Sequence, residues 1–435
     1  MITSTLTSKA PRAVVAALAI ATSVLLMASG TAHADPLQFT NSLSAVGSDT
    51  IQDVDSALTG YNSGNDFTPI HSDAASGRQQ IASWDAFGTD VTGQNNLAPC
   101  ISPKAPGGSF VRPNGSGAGM KALSRAIDGA AWGTTGDACG GPKQVQGLID
   151  FSRSSAGPSG AGTALAYAPF ARDAASYAYY TTGTASAVSD LTHAELLAIY
   201  SGSGNGTDIT RGSTVTHVVP CGIQTSSGTY KFWNTATGAT ATQEATATTG
   251  CNAVATATEN CTATPCRLEE NHEDQLKAKG DAIAASPPAG LTANNEYIVG
   301  HSAGVFIAES NGVEASHLAS GVTLGAVSDN GSGVNLGLPY TGTAPHLAPS
   351  STFYSDGTFG RFLYHIFDAN RINGLGNNGM KQLFKGTSAI ICQPTAQGII
   401  NNYGFLSILY SGTGPTAGTC GDTTSTTGPL VAGAS

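Results

Sequence analysis

Three times along this chain an apolar run gives way to a short loop of Ser, Thr, Gly or Asp and then to helix-like spacing. The junctions are Gly47-Ser48-Asp49-Thr50 before Ile51, Gly115-Ser116-Gly117-Ala118-Gly119 before Met120, and Ser226-Ser227-Gly228-Thr229 before Tyr230. Strand-like patterning spans 37–46, 147–151, 177–181, 214–219 and 296–307; helix-like patterning spans 51–58, 120–127, 192–200, 272–285, 359–367 and 395–403. Alternating strands and helices predict an α/β class with mainly parallel sheets.

The junctions also carry chemistry. A helix N-terminus presents unpaired N–H groups and a partial positive charge, and glycine lets an anion approach the backbone. Ser and Thr hydroxyls add donors without adding charge. Each loop taken alone has the ordinary reading of an N-cap bonded to its own backbone, Asp49 above all. An oxyanion site requires the three to converge.

The first residues fit an export signal. Lys9 and Arg12 precede an apolar stretch from Ala13 to Ala28, and Ala32-His33-Ala34 matches a small-x-small cleavage site before Asp35-Pro36. The stretch is shorter than the ~20 residues a bilayer needs. No Cys lies near the cleavage site, so no lipid anchor is expected, and the mature chain is read as secreted. The chain carries 19 basic and 29 acidic residues, a net charge of -10, and loses two bases with the signal. Nucleic acid and anionic membranes are excluded as partners, because no basic patch exists to release their counterions.

Eight cysteines in an exported chain read as disulfides. The expected pairing joins neighbours: Cys100 with Cys139, Cys221 with Cys251, Cys261 with Cys266, and Cys392 with Cys420. A zinc site at Cys261 and Cys266 lacks a second close pair or nearby His to complete four ligands. Residues 234–266, rich in Thr and Ala, are read as an insertion in the form of a solvated loop or weak hairpin. The tail at 421–435 is expected to be flexible. No internal repeat is visible.

Several segments in order resemble the phosphate-binding receptors of ABC importers, within the type 2 periplasmic-binding-protein fold. They are residues 46–50, Gly115-Ser116-Gly117, residues 149–155, the Leu191–Gly202 helix, Ser227-Gly228-Thr229, Tyr297-Ile298-Val299-Gly300, and Gln397-Gly398-Ile399-Ile400 with Tyr403-Gly404-Phe405. The resemblance implies two lobes, each a mixed sheet flanked by helices, joined by two crossing strands. Lobe one is expected at 37–168 plus 300–420, lobe two at 169–299. Ligand would lie between them, with donors from Ser48 or Thr50, Ser116, Ser227, Gly228 and Thr229. The implied function is capture of a small oxyanion, phosphate favoured, by a monomer that serves importer membrane subunits and uses no cofactor, metal or catalytic step.

Two features of the resemblance fail. The aspartate that accepts the ligand's proton falls on Ser155, and the arginine before the Ser227-Gly228-Thr229 loop falls on Ile223, with Gln224 beside it. Arg153 is the candidate substitute, because alternation along an extended 149–155 puts it on the face of Ser155, where its guanidinium would fork onto an oxyanion.

Two rival classes stand beside this one. Gly300-His301-Ser302-Ala303-Gly304 matches a nucleophile elbow, with Asp329 or Asp356 and His346 or His365 as downstream partners for Ser302 in a hydrolase. The run Val305-Phe306-Ile307-Ala308 continues as strand as readily as it starts a helix. The other class is a secreted surface protein that keeps the fold without the ligand. The acidic patch of Glu269, Glu270, His272, Glu273 and Asp274 is read as the exposed start of a helix rather than a metal site.

Overall fold

The longest strand organises the molecule. The computed structural model describes residues 35–36, 42–62, 65–73, 77–86, 99–105, 107–256, 264–386, 388–408, 419–423 and 427–433. The expected export signal and Cys261 lie outside them. In chain order the main elements are β1 (Ser42–Gly47), α1 (Asp49–Leu58), β2 (Gln80–Ser83), α2 (Ser116–Asp128), β3 (Phe151–Ser154) and β4 (Leu165–Thr181). Then follow α3 (His193–Tyr200), β5 (Thr207–Arg211), β6 (Thr214–Pro220), α4 (Gly228–Thr237), α5 (Ala241–Ala247) and α6 (Thr249–Asn252). The series closes with α7 (Glu273–Ala285), β7 (Glu296–Ser302), α8 (Ala303–Ser310), β8 (Gly360–Asp368) and α9 (Pro394–Asn402).

The main sheet has the strand order β5-β6-β7-β4-β8-β3-β1-β2, with three short strands also paired to β4. The pairs β1/β2, β1/β3 and β6/β7 are parallel. The pairs β4/β7, β4/β8, β3/β8 and β5/β6 are antiparallel. The sheet is therefore mixed rather than mainly parallel. The cause is β4, whose 17 residues run through both halves of the sheet, so that neighbours returning along it must run the other way. Pro169 sits in β4 at a register shift, the position where a strand tolerates a missing N–H.

Burial divides along β4. Ala166, Ala168 and Ala171 pack with Leu43, Ile51, Leu363, Phe367 and Ile400 in one apolar cluster. Ala174, Ala175, Tyr177 and Ala178 pack with Leu196, Trp233, Leu276, Ile298 and Phe306 in another, which also takes in Leu324, Phe353 and Phe359. The chain passes between the clusters at Arg172–Asp173 and again at Gly360–Phe362.

Several local expectations are corrected. Where the spacing predicts a helix over 359–367, residues Gly360–Asp368 form strand β8. The strand read over 296–307 ends at Ser302, and Ala303 starts helix α8 because the Ser302 hydroxyl caps it by accepting from Val305 N. The segment from 234 is not a loop or hairpin over its described part: α4 runs to Thr237, and α5 and α6 follow, α5 opened by a Thr240/Gln243 capping box. The tail read as flexible contributes Thr427–Gly428, which pair with Leu165 and Ala166 of β4. Disulfides join Cys100 to Cys139, Cys221 to Cys251 and Cys392 to Cys420, as neighbour pairing predicts. Cys266 is also disulfide-bonded. Among the described residues no helix is long and apolar enough to cross a membrane.

Candidate oxyanion cradle

The three Ser/Gly/Thr junctions meet. Each lies where a strand or loop enters a helix: Ser48 before α1, Ser116 at the first residue of α2, and Ser227 before α4. Gly115 turns into α2 at φ 88, and a Cβ there would press on the Ser226 carbonyl, so glycine is required on both counts. Gly117 N donates to that same carbonyl at 2.7 Å and locks the second junction to the third.

The hydroxyls form a chain. Ser48 Oγ donates to Ser155 Oγ at 3.3 Å, Ser116 Oγ lies 3.4 Å from Ser155 Oγ, and Ser155 N donates to Ser116 Oγ at 3.1 Å. Gly228 packs so closely that a Cβ on it would collide with both the Ser155 and Ser116 hydroxyls. Ser48, Ser116, Ser155, Ser227 and Thr229 are all buried. The capping reading applies to Ser227, whose Oγ accepts from Tyr230 N at 3.1 Å. It does not apply to Ser48, whose hydroxyl makes no cap bond and turns inward.

A carboxylate sits in this cradle. Glu270 Oε1 accepts from Thr229 N at 3.0 Å, from Thr50 Oγ1 at 3.0 Å and from Ser155 Oγ at 3.4 Å. Glu270 is 1% exposed, and its Oε2 has no hydrogen-bond partner among the described residues. The patch is therefore not an exposed helix start: Glu269, Glu270, His272 and Glu273 are buried and Asp274 is half-buried. Asn271 adopts φ 60, a left-handed conformation that Asn tolerates. It donates to Asp49 Oδ2 and Thr50 Oγ1 while accepting from Ser302 N. Burial, then the charge of Glu270, pushes Asp49 up from 3.8 to about 7.

Arg153 does not reach the cradle. Its Nε donates to Ser48 O at 3.1 Å, Nη1 to Ser83 Oγ at 2.7 Å and Ala45 O at 3.5 Å, and Nη2 to Trp84 O at 2.7 Å and Gly47 O at 3.3 Å. It rivets the ends of β1 and β2 together. The arginine that does approach is Arg361, whose Nη1 donates to Thr229 Oγ1 at 2.8 Å while Nη2 holds Asp173 at 2.7 Å. An acid, Glu270, and an arginine, Arg361, thus stand at the junctions, on segments other than those of Ser155 and Ile223. Sequence reasoning missed both roles. Glu270 stood in a charged run that reads as a solvated helix start, and Arg361 in a stretch read as helix.

Ser302 is not arranged as a nucleophile. It follows a strand and precedes a helix, as an elbow would, but its Oγ is buried and donates to Asp173 Oδ2 at 2.9 Å. His365 pairs instead with Asp55 at 3.0 Å, His346 is exposed, and Asp356 accepts from Asn330, Thr358 and Phe359. The ligating atoms of His272, Asp274 and His317 lie within 4.8 Å of one another. The two ring centroids lie 3.9 Å apart at an interplanar angle of 38°, and His272 faces Asp274 at 3.4 Å.

No family model matches the sequence, and no curated protein does. Solved structures do. A proposed phosphate ABC transporter substrate-binding protein from Clostridium perfringens, with phosphate bound, is 13% identical, with 84% of this chain and 99% of that one covered at a TM-score of 0.42. An ABC-type phosphate transport receptor from Vibrio cholerae is 13% identical over the same shares, with a TM-score of 0.41. PstS from Borrelia burgdorferi is 13% identical, with 85% and 99% covered and a TM-score of 0.34. At these identities and TM-scores the likeness carries no residue and no ligand across to this chain.

Proposed function

We propose that this protein is an extracytoplasmic receptor that captures a small oxyanion, phosphate favoured, between two lobes and does no covalent chemistry. The observation that carries the reading is internal: the cradle already solvates a carboxylate, through Thr229 N, Thr50 Oγ1 and Ser155 Oγ. Buried N–H and O–H groups converging on one point suit an anion and penalise a neutral or cationic guest. In this reading the two apolar clusters mark the two lobes, and the chain crosses between them near Arg172–Asp173 and Gly360–Phe362. Hinge motion at those crossings opens and closes the clamp. The solution form is a monomer that hands its ligand to importer membrane subunits.

One observation favours a second reading, a secreted surface protein that keeps the fold without a ligand: Glu270 already uses the donors a ligand would need. Calorimetric titration with phosphate, arsenate, sulfate, molybdate and a phosphonate separates the two. Uptake that is lost on Ser116→Ala or Gly228→Ala supports the receptor. No uptake of any of these anions, by the wild type or by variants lacking the Glu270 carboxylate, ends it.

A further inference from the structure

The carboxylate in the cradle is delivered by a segment built to place it there. Leu268 N donates to Gly222 O at 2.9 Å and Leu268 O accepts from Gln224 N at 2.8 Å, which zips this strand beside the one leading into Ser226-Ser227-Gly228-Thr229. Arg267 behind it is fixed to Glu244 of α5 at 2.9 Å. Beyond Glu270 the chain reverses at Asn271, whose side chain is held by Thr50, Asp49 and Ser302, and α7 begins at Glu273. Glu270 is thus clamped on both sides, with its carboxylate directed at the junction of α1, α4 and the end of β3.

Its contacts are not those of a bystander. Thr50, Ser155 and Thr229 belong to three separate segments, and each spends a donor on the single oxygen Oε1. A free oxyanion seeking the same cradle would need the same donors. The same three donors cannot serve both acceptors at once, and an oxyanion with no proton to donate is also repelled by the carboxylate. The other oxygen, Oε2, is buried with no hydrogen-bond partner among the described residues. Held through Oε1 by three donors and left with a buried, unpartnered Oε2, the side chain has a reason to stay and a reason to leave.

We infer that Glu270 is a tethered competitor: it occupies the oxyanion cradle in the resting protein, and a free oxyanion enters only as this side chain withdraws. The inference rests on the oxyanion reading and adds a gate to it. The apparent dissociation constant then exceeds the intrinsic one by the inverse of the fraction of molecules whose cradle is open. Because the occupant is a carboxylate, the emptied cradle also accepts small free carboxylates.

The test compares the wild type with Glu270→Ala and Glu270→Gln as full chains, each first shown to melt cooperatively. Inorganic phosphate is titrated by calorimetry, with sulfate in parallel and acetate as a probe of the vacated position. Glu270→Ala should bind phosphate at least about tenfold more tightly than the wild type, a gain of ~1.4 kcal/mol. Acetate should compete with phosphate in Glu270→Ala, and in the wild type only at correspondingly higher concentration. Glu270→Gln, which keeps the volume and loses the charge, should fall between, and it serves alone should the alanine variant not fold. Equal phosphate affinity in all forms, or weaker binding by Glu270→Ala, overturns the gate and leaves the receptor standing. No oxyanion uptake by any form removes the receptor reading, and the gate with it.

Discussion

Asp173 and Arg361 are register partners on adjacent strands and also ion-pair partners, at the place where both strands pass from one apolar cluster to the other. The pair is buried, and it reaches outward on both sides. Asp173 Oδ1 accepts from Gly304 N and Oδ2 from Ser302 Oγ, while Arg361 Nη1 donates to Thr229 Oγ1. The strand crossing, the start of α8 and the cradle are thereby tied into one network.

Removing one member of such a pair strands the other charge in a dry setting. Arg361→Ala and Asp173→Asn should each destabilise the fold by about 3–5 kcal/mol in urea denaturation. The double variant should lose less than the sum of the two, since residues in direct contact couple. Additive losses would show that the pair does not act as a unit.

Arg153 tests the difference between support and recognition. Its donors all go to the β1 and β2 ends, so Arg153→Ala leaves five oxygens without them and should lower the melting temperature clearly. The ligand-induced shift measured with phosphate, relative to the unliganded variant, should be unchanged. A vanished shift in a folded variant would return Arg153 to the ligand.

Gly228→Ala should act in the opposite way. The added methyl group enters the space between the Ser116 and Ser155 hydroxyls without demanding an unusual backbone, because the residue is the first of helix α4. Anion uptake should be lost while the unliganded melting temperature moves little, within about 1–3 kcal/mol of overpacking cost. Unaltered uptake would place the ligand elsewhere.

Asp49 gives one part of the pH dependence, beside Glu296, which burial pushes up to about 8. Burial first, and the Glu270 charge second, raise its carboxyl from 3.8 to about 7, against the opposing His272 charge and Asn271 hydrogen bond. A carboxyl raised on folding favours the folded state while protonated. Its contribution is full below the unfolded value and is lost as pH climbs from about 4 to 7. Asp49→Asn should flatten that decline in melting experiments across the window, and Glu270→Gln should shift it to lower pH by removing the second cause. An unchanged slope in Asp49→Asn would show that other buried acids govern it.

The legibility of this chain followed the range of its signals. The junctions at Ser48, Ser116 and Ser227 were readable because turn and cap chemistry is local, and their meeting was implied by the resemblance rather than by spacing. Strand β8 was not readable. Phe362, Leu363, Ile366 and Phe367 fit one helical face, yet the strand is covered on both sides between β4 and β3, where alternation disappears. Glu270 and Arg361 were hidden for a different reason. Their partners Thr50 and Asp173 lie far off in the chain, and nothing in a charged residue's neighbours announces that it will be buried against them. Arg153 shows the converse: alternation put it on the right strand, but the open carbonyls at the ends of β1 and β2 claimed it.

Strand β4 depends on segments that arrive much later. Its first residues pair with Asp368 and Phe367 and then with Thr427 and Gly428, and Val431 N donates to the Ser124 hydroxyl of α2. Until those downstream segments emerge, the middle of the sheet has an open edge, and contacts of this span slow the search for the native pairing. Late closure of this kind leaves the polypeptide open until nearly all of it has been made. A tag fused close behind Val431 would sit against this last seam, so purification handles belong at the other end of the chain.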